Sequence, residues 1–71
     1  MVDMQYVESS NVDQIGYDKD ISELHVKFKN SEIIYVYLDI PEYIFQGLLD
    51  APSKGSYIHR EIKGVYTFEK R

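Results

Sequence analysis

The stretch ELHVKFKNSEIIYVY, Glu23 to Tyr37, decides the fold of this 71-residue chain. Its first half alternates between apolar and polar residues, as expected of a half-buried strand. The apolar positions of that half are Leu24, Val26 and Phe28. After Asn30-Ser31 a second run of β-branched and aromatic residues begins, with two tyrosines separated by one valine. The stretch therefore predicts an antiparallel hairpin.

The length of the hairpin turn determines which face of the sheet carries the two tyrosines. A two-residue turn at Asn30-Ser31 pairs Val26 with Tyr35 and Leu24 with Tyr37, which places both rings on the apolar face. A loop one residue longer would exchange every side chain between the faces. With the shorter turn, the tyrosines belong to the core rather than to an exposed platform. The opposite face of the second strand is also apolar, which predicts a central strand.

Further elements are expected on both sides of the hairpin. Upstream, Gln14–Tyr17 predicts a short strand, and Met4–Val7 allows one more strand at the edge. Downstream, Pro41–Asp50 predicts a helix, because proline suits a first helical turn and apolar residues then follow at helical spacing. Gly47 inside this helix costs about 1 kcal/mol relative to alanine, which indicates a large ring, such as a tyrosine, packed closely against it.

The last third of the chain predicts a second helix. Ser53 can act as its N-cap and Gly64 as its stop. The tail Val65–Phe68 either pairs as a strand or lies against the helices. We therefore predict an α+β fold in one domain, residues 1–71: a small antiparallel three- to four-stranded meander with two short C-terminal helices packed on one face. The predicted core consists of Leu24, Val26, Phe28, Tyr35, Tyr37, Ile44, Leu48 and Ile58.

Composition and charge narrow the classes of function. The chain has no cysteine, which excludes disulfides and cysteine-ligated zinc. It also lacks a signal-like apolar run and any stretch of eighteen apolar residues, so we expect a soluble cytoplasmic protein without membrane contact. The net charge is −4. Residues 1–50 carry ten acidic and three basic residues, whereas residues 51–71 carry two and five. An RNA or DNA site would have to use the basic C-terminal third.

Six short motifs follow one another along nearly the whole chain. They are Ser9-Ser10, Ile15-Gly16-Tyr17-Asp18, Leu24-x-Val26-x-Phe28, Tyr35-x-Tyr37 with Ile40-Pro41, Leu48-x-x-Ala51-x-Ser53-x-Gly55-x-Tyr57, and Ile62 with Tyr66. Their order and spacing resemble the KTSC domain, a family named for its occurrence at the C-terminus of some lysyl-tRNA synthetases and also found as short bacterial or phage proteins.

What this resemblance implies about function is limited. The family has no established activity, and its attachment to a tRNA-handling enzyme suggests RNA binding by association only. Two pairs of residues depart from the family pattern. Asn30-Ser31 stands where the turn usually carries glycine, and Ile58-His59 stands where an aromatic residue followed by asparagine is expected. A binding site that used the second pair would be altered in this chain.

Catalytic chemistry finds little support in the sequence. His25 and His59 lie far apart, on a predicted strand and a predicted helix, and neither has a ligand-like partner at helical spacing. Ser9-Ser10 lacks the glycine-flanked elbow of a serine nucleophile, and the acids near Asp18 do not follow the calcium-loop pattern. We therefore expect no enzyme activity, no metal site and no cofactor.

The stretch SKGSYIHR, residues 53–60, is the strongest candidate for binding. It combines a hydroxyl, a glycine that allows close approach of a ligand, and basic side chains at the start of a helix. The candidate residues for nucleic-acid or anion binding are Ser53, Lys54, Gly55, Tyr57, His59, Arg60 and Lys63. A purely structural alternative stays open, in which Ser53 caps the helix, Gly55 avoids a clash with the sheet and Tyr57 packs in the interior.

Two functions are compatible with these features. The first is a small non-catalytic binding module that holds structured RNA through the basic C-terminal third. The alternative is a protein-interaction or self-associating module, in which the acidic part and an exposed sheet edge meet a protein partner or a second copy. A phage-encoded modulator that mimics nucleic-acid charge on a host protein is a variant of this alternative.

Overall fold

The central hairpin forms in the predicted register in a computed structural model that describes residues 2–71. Strand β3 (Glu23–Phe28) pairs antiparallel with β4 (Ile34–Tyr37). Leu24 lies opposite Tyr37 and Val26 opposite Tyr35, as the shorter turn requires. Both tyrosines therefore share a face with the apolar residues of β3.

The hairpin turn is longer than the predicted two residues, but it lengthens equally on both sides of Asn30-Ser31, so the register is unchanged. The β3–β4 ladder ends at Lys27 and Ile34, so Phe28 and Ile33 do not continue it. Asn30 has a φ of +63°, a conformation that asparagine tolerates better than most residues. On the other side of β3, the Lys29 N–H donates to the Asn11 carbonyl at 2.8 Å. This bond extends the pairing of β3 towards its other neighbour.

The sheet has five antiparallel strands in the order of the chain, one more than the upper limit predicted. The remaining strands are β1 (Gln5–Tyr6), β2 (Val12–Asp18) and β5 (Phe68–Lys70). β5 pairs with β4, so the tail after the second helix returns to the sheet and β4 is a central strand, as predicted. The extra strand is β5. The predicted tail ended at Phe68, whereas the alternation of side chains that is typical of a strand continues to Lys70. The α+β class is confirmed.

Helix α1 (Glu42–Asp50) follows Pro41 directly, within one residue of the prediction. Gly47 of this helix lies against the ring of Tyr57, as its position in the helix predicted. A Cβ atom at Gly47 would stand 2.3 Å from the Tyr57 hydroxyl oxygen and 3.0 Å from Cζ. That hydroxyl donates a 2.9 Å hydrogen bond to the Ile44 carbonyl. The glycine therefore allows the ring to join the two helices.

The second helix consists of α2 (Lys54–Tyr57) and a π-helical turn (Ile58–Ile62). The Ser53 hydroxyl accepts a hydrogen bond from the Ser56 N–H at 3.3 Å, which confirms the predicted N-cap. The helix ends with a 2.7 Å bond from the Lys63 N–H to the Ile58 carbonyl, and Gly64 then turns the chain with a φ of +82°. The predicted stop is thus confirmed.

The core lies between the helices and one face of the sheet. Six of the eight predicted core residues are buried there, whereas Phe28 and Tyr35 are only half-buried and pack at its edge. Four further residues complete the core: Val12, Ile15, Ile40 and Ile62. On the opposite face of the sheet, Val36 is also buried, between its cross-strand neighbours His25 and Glu69. Among residues 2–71, no helix has the length and apolar character needed to cross a membrane.

Candidate functional site

An open groove of about 810 Å³ lies where the second helix crosses the β4–β5 end of the sheet. The inner face of β3, β4 and β5 forms its floor, and the second helix forms one wall. The loops around residues 10–11 and 29–30 close its end. Its lining residues are Ser10, Asn11, Phe28, Lys29, Asn30, Tyr35, Tyr37, Gly55, Ser56, Ile58, His59, Lys63, Phe68 and Lys70.

The floor of this groove is aromatic. Phe28 meets Tyr35 edge to face with ring centroids 5.6 Å apart, and Phe68 lies 5.7 Å from Tyr35 and 5.6 Å from Tyr37. Tyr37 is buried, and this burial raises the pKa of its phenol above the usual value of 10.0. Phe68 is 47% exposed. The groove thus presents an accessible ring that two tyrosines support from the inside.

The rim of the groove is basic. Its basic side chains are Lys29, His59, Lys63 and Lys70, and among residues 2–71 no acidic residue belongs to the lining. Among residues 2–71, no carboxylate lies within ion-pair distance of the three lysines. The Lys70 ammonium stands 5.9 Å from the centroid of the Tyr35 ring. A positive surface of this kind in a chain of net charge −4 suits an anionic ligand.

Polar side chains line the groove beside the lysines. Asn11 and Asn30 are exposed, and within the described part of the chain no hydrogen bond occupies either side-chain amide. Each amide offers both donors and an acceptor. A Cβ atom at Gly55 would lie 3.2 Å from Asn11 Nδ2, so the glycine lets the helix approach this loop. The groove can therefore offer charge, aromatic faces and directional hydrogen bonds together.

Three of the predicted site residues meet at the groove. Gly55 lies in α2, His59 in the π-helical turn and Lys63 directly after it, and all three line the groove. This agrees with the predicted surface, although the binding role of these residues stays a prediction. Chain segments before and after the helix supply the other basic groups.

The other four predicted residues have structural partners away from the groove. Ser53 is the N-cap described above, and Lys54 donates from Nζ to the Leu49 and Ala51 carbonyls at 3.0 and 2.7 Å. Lys54 thereby satisfies backbone carbonyl groups at the C-terminal end of α1. Tyr57 joins the helices, and burial is the largest cause of the raised pKa of its phenol. Arg60 pairs with Glu61 at 3.0 Å and lies over the Tyr57 ring.

The sequence reasoning did not identify several residues of the groove. Phe68 and Lys70 were missed because the possible strand in the tail had no assigned partner and ended at Phe68, although the alternating pattern continues to Lys70. The sequence analysis assigned Phe28 and Tyr35 to the core. In the structure they lie at the edge of the core, where they also line the groove. Lys29 falls on a polar position of the alternating stretch ELHVKFK, so the strand pattern gave no reason to include it in a site. It lies past the end of the β3–β4 ladder, where the chain turns towards the groove.

Comparison with known proteins supplies the family. The family model that describes the sequences of the KTSC domain matches residues 8–66 of this chain. A lysine–tRNA ligase of Nostoc punctiforme is 33% identical over 63 residues, which are 89% of this chain and 11% of the ligase. The ligase of Trichormus variabilis matches over the same shares with the same identity. The chain thus spans about a ninth of the length of these ligases.

Two further relatives match over most of their own length. A protein of Tsukamurella paurometabola is 35% identical over 60 residues, which are 84% of this chain and 88% of that protein. The crystal structure of a KTSC domain protein from Yersinia pestis superposes with a TM-score of 0.94 at 35% identity, covering 100% of this chain and 99% of the other. The chain belongs to the KTSC domain family.

Proposed function

We propose that this chain is a non-catalytic RNA-binding module and that the groove is its contact surface. The observation that carries the proposal is the combination of an aromatic floor with a basic, acid-free rim in an acidic protein. Lysines neutralise phosphates and supply salt-dependent affinity, while exposed aromatic rings stack on bases. Both requirements of an RNA site are thus present in one cavity.

The relatives support RNA as the ligand. The lysine–tRNA ligases that share this domain act on tRNA by name. A domain that holds RNA could serve such an enzyme as an appendage and could also act by itself, which fits a family with both long and short members. We place the action of this chain in the cytoplasm, where RNA partners are abundant.

Protein interaction is the second candidate function, and one feature favours it. β1 and β5 are the edges of an open sheet, so each carries backbone groups that can pair with a strand from another chain. β5 is the longer of the two and also holds Phe68 of the groove. An extended peptide added to β5 would bring its side chains close to the same cavity.

Paired charge reversals test the RNA proposal. Lys29→Glu with Lys63→Glu changes two groove lysines, and Lys19→Glu with Arg60→Glu makes the same change in net charge at exposed positions outside it. We expect the wild-type chain to bind bulk bacterial tRNA at low salt and the groove variant to lose this binding. The control variant should retain most of it.

The salt dependence gives a second readout. Each phosphate contact contributes about 0.7 to the slope of log affinity against log salt for single strands. Removing two groove contacts should therefore flatten that slope by about 1.4, whereas the control should leave it close to that of the wild type. Equal losses in both variants, or no binding by the wild type even at low ionic strength, would refute the proposal. Capture of a nuclease-resistant protein partner would then favour the second candidate.

A further inference from the structure

We infer that the groove selects unpaired nucleotides, with one base stacked on Phe68 and the flanking phosphates held by the groove lysines. This inference rests on the RNA-binding function proposed above and adds the class of RNA. The accessible ring and the available amides favour single strands. Duplex RNA does not offer the surfaces that these groups would contact.

The position of Phe68 makes it suited to stacking. Its ring is about half exposed, while Tyr35 and Tyr37 support it from the core side at centroid distances near 5.7 Å and 5.6 Å. The register of β5 fixes this arrangement, because Phe68 lies opposite Tyr37 in the ladder. A ring supported in this way keeps its orientation when a base arrives, so little ordering is needed on binding.

The size and polar lining of the groove agree with a small number of nucleotides. A volume of about 810 Å³ lies within the range of about 300–1,000 Å³ that is common for small-ligand sites. Asn11 and Asn30 stand at the end of the cavity with unoccupied amides. An unpaired base exposes hydrogen-bonding edges to such groups, whereas a paired base has already used its Watson–Crick edge.

Duplex RNA lacks a way into this cavity. In a helix the faces of the internal bases cover one another, so these bases cannot lie on Phe68. Proteins that recognise double-stranded RNA span about 16 base pairs through shallow backbone contacts. This molecule extends at most 28 Å, and its basic groups surround a concavity rather than a flat face. Single strands, loops and overhangs satisfy the geometry.

The experiment compares a single-stranded oligoribonucleotide of about ten nucleotides without self-complementarity, a length typical of single-strand sites, with the blunt RNA duplex that this strand forms with its complement. The variants are Phe68→Ala and Phe68→Trp. Tyr43→Ala is the matched control, since Tyr43 is 71% exposed on α1, outside the groove. Affinity comes from fluorescence anisotropy of the labelled RNA, measured over a range of salt.

We expect the single strand to bind more tightly than the duplex. Phe68→Ala should weaken single-strand binding by about 5- to 150-fold without changing the salt slope, because stacking is lost while the phosphate contacts remain. Tyr43→Ala should bind like the wild type. The chain has no tryptophan, so Phe68→Trp places a sole indole in the groove, and saturating single strand should quench its fluorescence. This signal also tests the inference if Phe68→Ala fails to fold.

The outcomes separate the inference from the function on which it rests. Equal affinity for duplex and single strand, or an indole that saturating RNA leaves unquenched, would overturn the choice of unpaired nucleotides while RNA binding stood. Unchanged binding by a folded Phe68→Ala variant would do the same. Failure of the wild type to bind either RNA would overturn both.

Discussion

Gly47→Ala tests how the two helices are joined. In most helices this substitution stabilises by about 1 kcal/mol, because alanine is the better helix former. Here the added methyl group would stand 2.3 Å from the Tyr57 hydroxyl oxygen, so the ring must move and its bond to Ile44 must lengthen or break. The usual sign of the substitution should therefore reverse.

The magnitude follows from three contributions. Overpacking a well-filled interior costs about 1–3 kcal/mol, and loss of the hydrogen bond adds about 0.5–1.5 kcal/mol. The gain in helix propensity offsets about 1 kcal/mol of this. We expect a net loss of about 2 kcal/mol in the free energy of unfolding, equivalent to a fall of about 8–16 °C in Tm for a domain of this size.

A double-mutant cycle with Tyr57→Phe identifies the cause. That variant alone should lose about 1 kcal/mol through the missing hydrogen bond. Adding Gly47→Ala to it should cost less than adding it to the wild type, because the closest atom is gone and the nearest remaining ring atoms, Cζ and Cε2, lie at 3.0 and 3.2 Å. Urea unfolding followed by circular dichroism measures all four proteins. A Gly47→Ala chain as stable as the wild type, or strictly additive losses, would refute this account of the junction.

Two further predictions concern the sheet. Gly16→Ala should cost about 1–3 kcal/mol and speed amide exchange at Gln5 and Tyr6, because its Cβ would lie 2.8 Å from the Asp3 carbonyl oxygen; unchanged exchange there would contradict the expected displacement of the N-terminal segment. Asp13→Asn should make the free energy of unfolding fall less steeply as the pH is lowered into the acid range. The reason is that the hydrogen bond from Lys27 lowers the folded pKa of Asp13 below 3.8. A lowered folded pKa contributes stability that is present above the unfolded pKa and is lost as pH falls through the folded value. An identical acid midpoint in the wild type and the variant would show that this pair contributes nothing.

Local pattern was enough to predict the centre of the fold. Strand alternation together with a turn centred on Asn30-Ser31 gave the β3–β4 register, which pairs Leu24 with Tyr37, and Pro41 marked the start of α1. Gly47 even indicated the tyrosine ring beside it. These features depend on residues close in sequence or on a single repeated period, so they can be read without knowledge of the tertiary structure.

The groove was harder to predict, because it depends on contacts between distant parts of the chain. SKGSYIHR lies on the helix beside the groove, yet only a three-dimensional arrangement shows that Lys54 caps α1 while Lys63, three residues after this stretch, lines the cavity. Phe68 and Lys70 enter the site only because β5 pairs with β4, about thirty residues earlier in the chain. Periodicity gives the face of each element but not the neighbour that the face will meet.

The part of the groove floor that β5 supplies has a consequence for how the site can vary. Phe68 and Lys70 stand on an edge strand with a single partner, and the match to the family model ends at residue 66. Substitutions at these two positions alter the chemistry of the cavity while the buried residues beneath the helices stay unchanged. In the proposed RNA site, a short terminal strand thus supplies groups that contact the ligand, while the scaffold that positions them is built from other residues.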